Sequence, residues 1–299
     1  MKKIIILILS TNNNDYKLFI DALKDTWVKK ARTKNIECFF YEGGYNKNYI
    51  DGGTIKLNVN DNLKSTSEKL IEAIKVLQDN NVEFDFIFRT NLSSFIFIDN
   101  FLDYFIENEN NIIYSGHKGK CILSPRFLNR FGFLHNLYFR YLKPFFIQDH
   151  TILSSSGNIH KNNLFSRFSY KFNFLHDLYF KYIKIQVLEF ASGSGFWLSK
   201  EAVQILLSEK KKDLKLIDDV MVGKVMADNK IKVTNCDRVI LQDDKFISND
   251  IDFNRIKANY HVRLKSFKNR DIDVKRMYKL DKIEISNNIE SDLLEVLNC

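Results

Sequence analysis

Apolar strands alternate with amphipathic helices through the first part of the chain, and this alternation constrains the fold more than any other feature of the sequence. Predicted strands cover residues 3–9 (KIIILIL), 36–44 (IECFFYEGG) and 84–90 (FDFIFRT), and predicted helices cover residues 15–34 and 65–80. Apolar residues recur near helical spacing in the first helix, and the second begins with Ser and Thr caps. The pattern predicts an α/β fold whose mixed, mainly parallel sheet is flanked by helices.

Three polar loops follow the predicted strands, at the edge of the sheet where folds of this class bind ligands. They are residues 10–15 (STNNND), 41–44 (YEGG) and 89–94 (RTNLSS). The third loop contains no carboxylate, since the nearest acidic residues are Asp85 and Asp99. This loop therefore offers hydroxyl and amide groups to a ligand rather than acidic ones.

The charge balance favours an anionic partner. The 299 residues include 45 Lys and Arg against 37 Asp and Glu, which gives a formal net charge of +8. Nucleotide phosphates would suit such an excess, and an ordinary solvated basic surface also explains it. No known nucleic-acid-binding motif accompanies the charge, so we expect no nucleic-acid partner.

Cysteine spacing and hydropathy indicate a cytoplasmic, soluble protein. The four cysteines (Cys38, Cys121, Cys236 and Cys299) are scattered, which argues against a disulfide framework and against a cysteine-based metal site. The opening MKKIIILILS has no cleavage site after its short apolar run and is better explained as a buried strand. No apolar run approaches the ~20 residues of a spanning helix.

An internal repeat interrupts the α/β pattern. Residues 126–143 (RFLNRFGFLHNLYFRYLK) are echoed by residues 167–184 (RFSYKFNFLHDLYFKYIK). We interpret 118–187 as an aromatic-rich helical insertion between a first segment (1–117) and a last segment with a basic tail (188–299), all in a single domain. Two helices packed on the core would explain the duplication, and so would a surface for membrane contact, acceptor docking or self-association through residues 126–184.

Three groups of residues in the second half carry candidate chemistry. Asp218 and Asp219 are adjacent carboxylates near a predicted helix start, suited to capping that helix or to acting as a general base. The segment 192–199 (SGSGFWLS) is predicted to be a glycine-rich turn entering a helix. His261, Arg263 and Lys265 alternate, so on an extended segment they project to one side. With Arg270 they could bind a diphosphate or form a solvated basic strand.

Taken in order, these segments resemble the GT-A-fold (Rossmann-like) glycosyltransferases of the β-1,3-galactosyltransferase, N-acetylglucosaminyltransferase and fringe type. The RxAIRxTW pattern of that family is similar to residues 20–27 (IDALKDTW), which keep Ala22, Thr26 and Trp27 but have Ile20 and Lys24 at the arginine positions. The family's SGxGYxxS segment corresponds to residues 192–199, and its [ED]DVxxG motif to residues 218–223 (DDVMVG).

The resemblance implies an inverting transfer of a hexose or N-acetylhexosamine from a nucleotide diphosphate sugar, uridine-linked, to a hydroxyl of a glycan or glycoconjugate. It makes residues 1–117 the nucleotide-sugar-binding half and residues 188–299 the acceptor and catalytic half of one catalytic domain, and it places Asp219 as the general base with Asp218 beside it. Donor-binding residues implied by position are Ser10, Thr11, Arg89, Thr90, Asn91, Ser93 and Ser94, and those bordering donor and acceptor are Ser192, Gly193, Ser194, Gly195 and Trp197.

The loop after the third strand departs from the family, which has a metal-binding Lys-Thr-Asp-Asp-Asp-like run where this chain has residues 89–93 (RTNLS). Asn91 and Ser93 would hold Mg²⁺ or Mn²⁺ poorly, because these ions prefer carboxylate oxygen. We therefore expect no required metal cofactor, or only a weak dependence on Mn²⁺ or Mg²⁺, with His261, Arg263, Lys265 and Arg270 compensating the leaving diphosphate. The alternatives are a catalytically inactive protein of this fold that binds a glycan or nucleotide, and a basic nucleic-acid or membrane-surface protein.

Overall fold

The computed structural model describes residues 2–123, 186–210, 212–242, 256, 258–266 and 270–285. Both copies of the internal repeat, and most of the predicted insertion at 118–187, lie outside the described residues. The predicted division into segments 1–117, 118–187 and 188–299 therefore stays a prediction.

The described strands are short except for two, which have 10 and 14 residues. They are β1 (Ile4–Leu9), β2 (Glu37–Glu42), β3 (Tyr49–Asp51), β4 (Thr54–Lys56), β5 (Phe86–Asn91), β6 (Ser94–Ile96), β7 (Tyr114–Leu123), β8 (Gln186–Ser199), β9 (Thr234–Asn235), β10 (Val239–Gln242) and β11 (His261–Lys265).

The described helices are α1 (Lys17–Asp25), α2 (Trp27–Thr33), α3 (Thr66–Asp79), α4 (Ile98–Asn108), α5 (Lys200–Ser208), α6 (Asp218–Asp228) and α7 (Asp271–Ile285), with 3₁₀ turns at Asn14–Tyr16 and Leu63–Ser65. The helix predicted over residues 15–34 is divided at Thr26. This residue leaves the helical region (φ −104°, ψ −120°), and its hydroxyl donates a hydrogen bond to the Ala22 carbonyl at 2.6 Å.

In the described part of the chain, eight strands form one sheet in the order β3-β4-β2-β1-β5-β8-β7-β9. The pairs β1–β2, β1–β5, β2–β4 and β7–β9 are parallel, whereas β3–β4, β5–β8 and β7–β8 are antiparallel. A second sheet has the order β10-β11-β6. The mixed, mainly parallel sheet predicted from the sequence is confirmed.

Both faces of the large sheet are buried, as expected when helices flank a sheet. Along β1, Ile4, Ile6 and Ile8 pack in one apolar cluster with α1, α2 and α4, while Ile5 and Leu7 pack in another with α3, α5 and α6. The continuous apolar run of β1 follows from this burial on both sides. No helix among the described residues is long and apolar enough to cross a membrane.

Strand register places three loops at one edge of the sheet. Leu9 at the end of β1 lies opposite Tyr41 of β2 and Asn91 of β5. The second sheet meets the same edge, because Arg263 of β11 lies opposite Ser94 of β6. The carboxyl ends of β1, β2 and β5 and the amino end of β6 therefore converge on one cleft.

Candidate active site

The Ser-Gly-Ser-Gly segment is a bulge within a strand rather than the predicted turn. On β7, Gly116 lies opposite Phe196 and Lys118 opposite Ala191, so residues 192–195 of β8 leave the β7 ladder. We call residues 192–195 the serine–glycine bulge. The strand continues beyond it to Ser199, whose hydroxyl caps α5 by accepting from the Ala202 amide at 3.2 Å.

Polar groups at the end of β5 fix the backbone of the serine–glycine bulge. Thr90 donates from Oγ1 to the Ser194 carbonyl at 2.6 Å, and Ser94 donates from Oγ to the same carbonyl at 2.9 Å. Asn91 donates from Nδ2 to the Gly193 carbonyl at 3.1 Å. The loop after β5 is therefore used to hold a neighbouring strand.

Arg89 is the central buried cation of the site, and only 1% of its surface is exposed. It donates to the Tyr41 hydroxyl at 3.1 Å and to the Gly193 carbonyl, and it forms an ion pair with Asp218. Burial opposes its charge, but Asp218, Tyr41 and Asp219 together outweigh that effect and the pKa of Arg89 is raised. The prediction that Arg89 binds the donor is corrected, because its guanidinium is enclosed by protein groups.

Asp218 and Asp219 begin α6, as predicted, and take different roles. Asp218 points to Arg89, and its amide donates to Thr66 Oγ1 at the start of α3 at 3.2 Å. Asp219 accepts on Oδ2 from the Gly193 amide at 2.7 Å and on Oδ1 from the Val220 amide at 2.8 Å. Asp219 is therefore held against the serine–glycine bulge by backbone groups alone.

Two effects favour the protonated form of Asp219. Burial of its carboxyl and the neighbouring charge of Asp218 raise the pKa of Asp219 to about 6, against the opposing hydrogen bond from the Gly193 amide. The side chain nevertheless retains 8% exposure. A Cβ added at Gly193 would lie 2.9 Å from Asp219 Oδ2, so the absence of a side chain there allows the close approach. The result is a carboxylate basic enough to accept a proton near neutral pH.

The loop between β5 and β6 has an open end and a buried end. Asn91 and Ser93 are partly exposed, and Asn91 Oδ1 accepts from the Ser93 amide at 3.0 Å. Thr90 and Ser94 are fully buried, and His261 Nε2 lies 3.1 Å from Ser94 Oγ. The prediction that Thr90 and Ser94 contact a donor is corrected, because both side chains lie at the buried end of the loop and support it from there.

The four cations predicted to bind a diphosphate lie near one another but are not equivalent. Burial, with the nearby charges of Arg238 and Arg263, lowers the pKa of His261 well below its ordinary value, so this imidazole supplies no charge. Arg270 donates to Ser93 Oγ at 2.6 Å and pairs with Asp273 at 3.2 Å. Arg263 and Lys265 are partly exposed on β11. The role predicted for His261 is therefore corrected.

The loop after β1 is fixed by an ion pair that sequence inspection missed. Asp61 accepts from Thr11 Oγ1 at 2.5 Å, from the Asn12 amide at 2.8 Å and from Lys69 Nζ at 2.8 Å. Ser10 is 3% exposed and its hydroxyl lies 3.5 Å from Glu42 Oε2. Ser10 and Thr11 thus shape the edge of the cleft, and the donor-binding role predicted for Ser10 is corrected because its side chain is buried.

Trp197 lies in the hydrophobic core and not in the cleft, which corrects its predicted place beside donor and acceptor. The indole is fully buried and stacks on Phe101 with ring centroids 4.6 Å apart. Its Nε1 donates to the Tyr260 hydroxyl at 3.0 Å. Position 197 lies two residues beyond the bulge, where β8 has rejoined both neighbouring strands.

A divalent cation does not fit the donor groups at the end of β5. Within the described ranges, no cluster of three or more His, Cys, Asp or Glu side chains could hold a metal ion. Asp218 is paired with Arg89, and Asp219 already accepts two backbone hydrogen bonds. Asn91 and Ser93 offer neutral oxygens, which bind hard cations less well than carboxylates do.

Arg238 is a further site residue that sequence analysis missed. It lies one residue before β10 and donates from one terminal nitrogen to Ser192 Oγ at 2.9 Å and to Ser194 Oγ. Nothing in the surrounding segment (NCDRVI, 235–240) marks it as functional, since a single arginine before a short strand is unremarkable. Only the fold brings Arg238 next to the hydroxyl groups of Ser192 and Ser194 in the serine–glycine bulge.

Comparison with protein families gives one match, which covers about a third of the chain. Residues 133–237 match the model of the family described as Galactosyltransferase. The matched range includes the serine–glycine bulge and both carboxylates of α6, and it begins inside the segment predicted to be an insertion. A search of curated protein sequences gave no match.

Several solved structures are similar to this chain at low sequence identity. One is a glycosyltransferase involved in the glycosylation of the major capsid of PBCV-1, with 8% identity, a TM-score of 0.45 and coverage of 92% of this chain and 98% of that one. Another is the galactosyltransferase LgtC in complex with donor and acceptor sugar analogues, with 10% identity, a TM-score of 0.37 and coverage of 93% and 95%. A third is 4-diphosphocytidyl-2C-methyl-D-erythritol synthase from Anaerococcus prevotii, with 9% identity, a TM-score of 0.37 and coverage of 79% and 86%.

Proposed function

We propose that the chain is a glycosyltransferase that transfers a sugar with inversion from a nucleotide diphosphate sugar, uridine-linked, to a hydroxyl of a glycan or glycoconjugate. The match of residues 133–237 to the Galactosyltransferase family model supports this proposal. The observation that carries the proposal is Asp219, a carboxylate with a pKa of about 6 held at the serine–glycine bulge. Such a group suits proton abstraction from an acceptor hydroxyl near neutral pH.

In the proposed reaction, Asp219 removes the proton of the acceptor hydroxyl as its oxygen attacks the anomeric carbon of the donor sugar. The bond from that carbon to the diphosphate oxygen breaks, and the nucleoside diphosphate leaves with the bonding electrons. A single displacement of this kind inverts the configuration at the anomeric carbon. The proton remains on Asp219 until it passes to solvent.

Asp218 and Arg89 position the base rather than contact substrate. Their buried ion pair joins α6 to β5, and Arg89 also donates to the Gly193 carbonyl while the Gly193 amide donates to Asp219. A chain of contacts therefore leads from the ion pair through the serine–glycine bulge to the base. Preorganised polar groups of this kind need little rearrangement during the reaction.

We propose that transfer requires no divalent metal. The absence of a suitable donor set at Asn91 and Ser93 supports this, and so does the concentration of arginine side chains around the bulge. Cationic side chains can stabilise the charge that develops on a leaving diphosphate, as a metal does in other enzymes. Asn91 and Ser93, the partly exposed groups of the loop, are proposed to hydrogen-bond the donor.

The test is turnover of a panel of nucleotide sugars with sugar and glycolipid acceptors, measured as nucleoside diphosphate release and as product mass. We expect Asp219→Asn to lose about 10²- to 10⁴-fold in turnover, because a general base contributes roughly that much. The matched control is Asp228→Asn, an exposed carboxylate at the opposite end of the same helix. Donor binding without turnover of any acceptor would contradict the proposal and favour an inactive binding protein.

A further inference from the structure

Among the described residues, two arginines beside the serine–glycine bulge lack the acidic partner that three nearby cations possess. Arg89 pairs with Asp218, Lys69 with Asp61 and Arg270 with Asp273. Counting only the described residues, neither Arg238 nor Arg263 forms an ion pair with a carboxylate, and Arg263 has no hydrogen-bond partner at its guanidinium. Among the described residues, the charges of these two side chains are therefore met only by the longer-range attraction of Asp219 and, for Arg263, of Asp273.

The two guanidinium groups are close enough to repel each other. Arg238 immediately precedes β10, which runs parallel to β11 with Ile240 opposite Arg263. Burial, with the charge of Arg263, lowers the pKa of Arg238 to about 9. Burial and the charge of Arg89 also lower the pKa of Arg263. The charge of Arg263 thus disfavours the charged form of Arg238, and an anion bound beside them would offset this repulsion.

Both side chains remain reachable and one retains an unused donor. Arg238 and Arg263 are partly exposed, in contrast to the enclosed Arg89. Arg238 uses a terminal nitrogen for Ser192 and Ser194, while its Nε is buried without a hydrogen-bond partner among the described residues. Buried donors are almost always satisfied in folded proteins, so an unsatisfied one in a cleft indicates a missing acceptor.

We propose that Arg238 and Arg263 form an oxyanion site for the diphosphate of the donor. This inference rests on the proposed function and revises the set predicted from the sequence, since Arg238 replaces the neutral His261. Guanidinium groups suit phosphate oxygens because their planar donors form paired, charge-assisted hydrogen bonds. Asp219 attracts both arginines, so a diphosphate here lies beside the base.

Arg238 also links the diphosphate to the geometry of the base. Its hydrogen bonds to Ser192 and Ser194 flank Gly193, whose amide holds Asp219. Loss of Arg238 should therefore weaken binding of the diphosphate and also displace the bulge. We expect KM for the donor to rise and kcat to fall in Arg238→Gln, whereas Arg263→Gln should act mainly on KM because Arg263 has no contact with the bulge.

The experiment is calorimetric titration of the full chain with inorganic diphosphate, with UDP and with UMP. We expect Arg238→Gln and Arg263→Gln each to weaken diphosphate and UDP binding about 10- to 100-fold, as expected for lost hydrogen bonds to a charged group. UMP binding should change less. Arg238→Lys keeps the positive charge but loses the planar guanidinium group. Its affinity for diphosphate should therefore lie between those of the wild type and Arg238→Gln. The control is Arg32→Gln, an exposed arginine of α2.

Unchanged diphosphate affinity in both folded glutamine variants would overturn the inference, as would a wild-type protein that binds no inorganic diphosphate. If Arg238→Gln fails to fold, Arg263→Gln on the neighbouring strand decides the question. The proposed function fails separately, when diphosphate binds through these arginines but no nucleotide sugar is consumed. Donor turnover that is insensitive to both arginines is the opposite case, in which only the inference fails.

Discussion

The surroundings of Asp219 differ from those of Asp218, its neighbour in the chain. Asp218 is neutralised by Arg89, whereas Asp219 faces a backbone amide at 2.7 Å and the partly open cleft. Two adjacent carboxylates of the same chemical type thus acquire different roles from their surroundings. The pKa of Asp219 lies above that of a solvated aspartate because burial and the charge of Asp218 both disfavour the ionised form.

The pH dependence of turnover follows from this raised pKa. A base must be ionised to accept a proton, so kcat should fall as pH drops through about 6 and level off above that value. The acid limb should vanish in Asp219→Asn, whose residual rate should not change with pH, and it should persist in Asp228→Asn. A limb that survives in Asp219→Asn would assign the titration to another group.

Replacing only one partner of the Arg89–Asp218 ion pair should lower the free energy of unfolding. Both side chains are buried, with exposures of 1% and 4%, so removing one partner leaves an uncompensated charge in the interior. We expect Asp218→Asn to lower the free energy of unfolding by about 3–5 kcal/mol, measured by urea denaturation.

The double variant Arg89→Met with Asp218→Leu tests the reason for that loss. If the cost comes from an unpaired buried charge, removing both charges should restore part of the stability lost in Asp218→Asn. A double variant as unstable as the sum of its single changes would show that packing and not charge explains the effect.

Among the secondary-structure elements, the contact between α6 and β8 positions Asp219. Gly223, the last residue of the DDVMVG segment, faces Phe190 of β8, and a Cβ added there would lie 2.4 Å from the Phe190 Cβ. The glycine thus permits the helix to approach the strand closely enough for Asp219 to reach the bulge. This gives a physical reason for a glycine five residues after Asp218.

Gly223→Ala should force α6 away from β8. We expect a loss of about 1–3 kcal/mol in unfolding free energy, as for other overpacked cores, together with reduced turnover. Phe190→Gly in the same chain should recover turnover more than stability, because it removes the Cβ that the added methyl group would meet but leaves a cavity. A Gly223→Ala protein with wild-type stability and turnover would contradict this account of the contact.

Element order and the start of α6 were predictable because they depend on local patterns: apolar periodicity, cap residues and paired acids. The register between strands was not. The bulge at 192–195 exists because β7 and β8 pair on both sides of it at different offsets, and no local pattern specifies such an offset. The same limit explains why Arg238, Asp61 and Lys69 went unnoticed and why Trp197 was placed in the cleft.

At the scale of the molecule, the cleft lies where two sheets meet at the carboxyl ends of β1, β2 and β5. The large sheet supplies Asn91 and the serine–glycine bulge, and the small sheet supplies Arg263 with Arg238 beside it. Part of the net charge of +8 lies in this cleft. Arg238 and Arg263, which form no ion pair with a described carboxylate, converge there on the proposed path of the diphosphate.

The most direct measurement is the initial rate of nucleoside diphosphate release from the preferred donor with acceptor, in metal-free buffer with EDTA and again with added Mn²⁺ or Mg²⁺. If arginines take the place of a metal, chelation should not change the rate. Asp219→Asn should lower it about 10²- to 10⁴-fold, and Arg238→Gln should lower it with or without added metal. A rate that EDTA removes and Mn²⁺ restores would contradict the central claim and require metal ligands that the described residues do not supply.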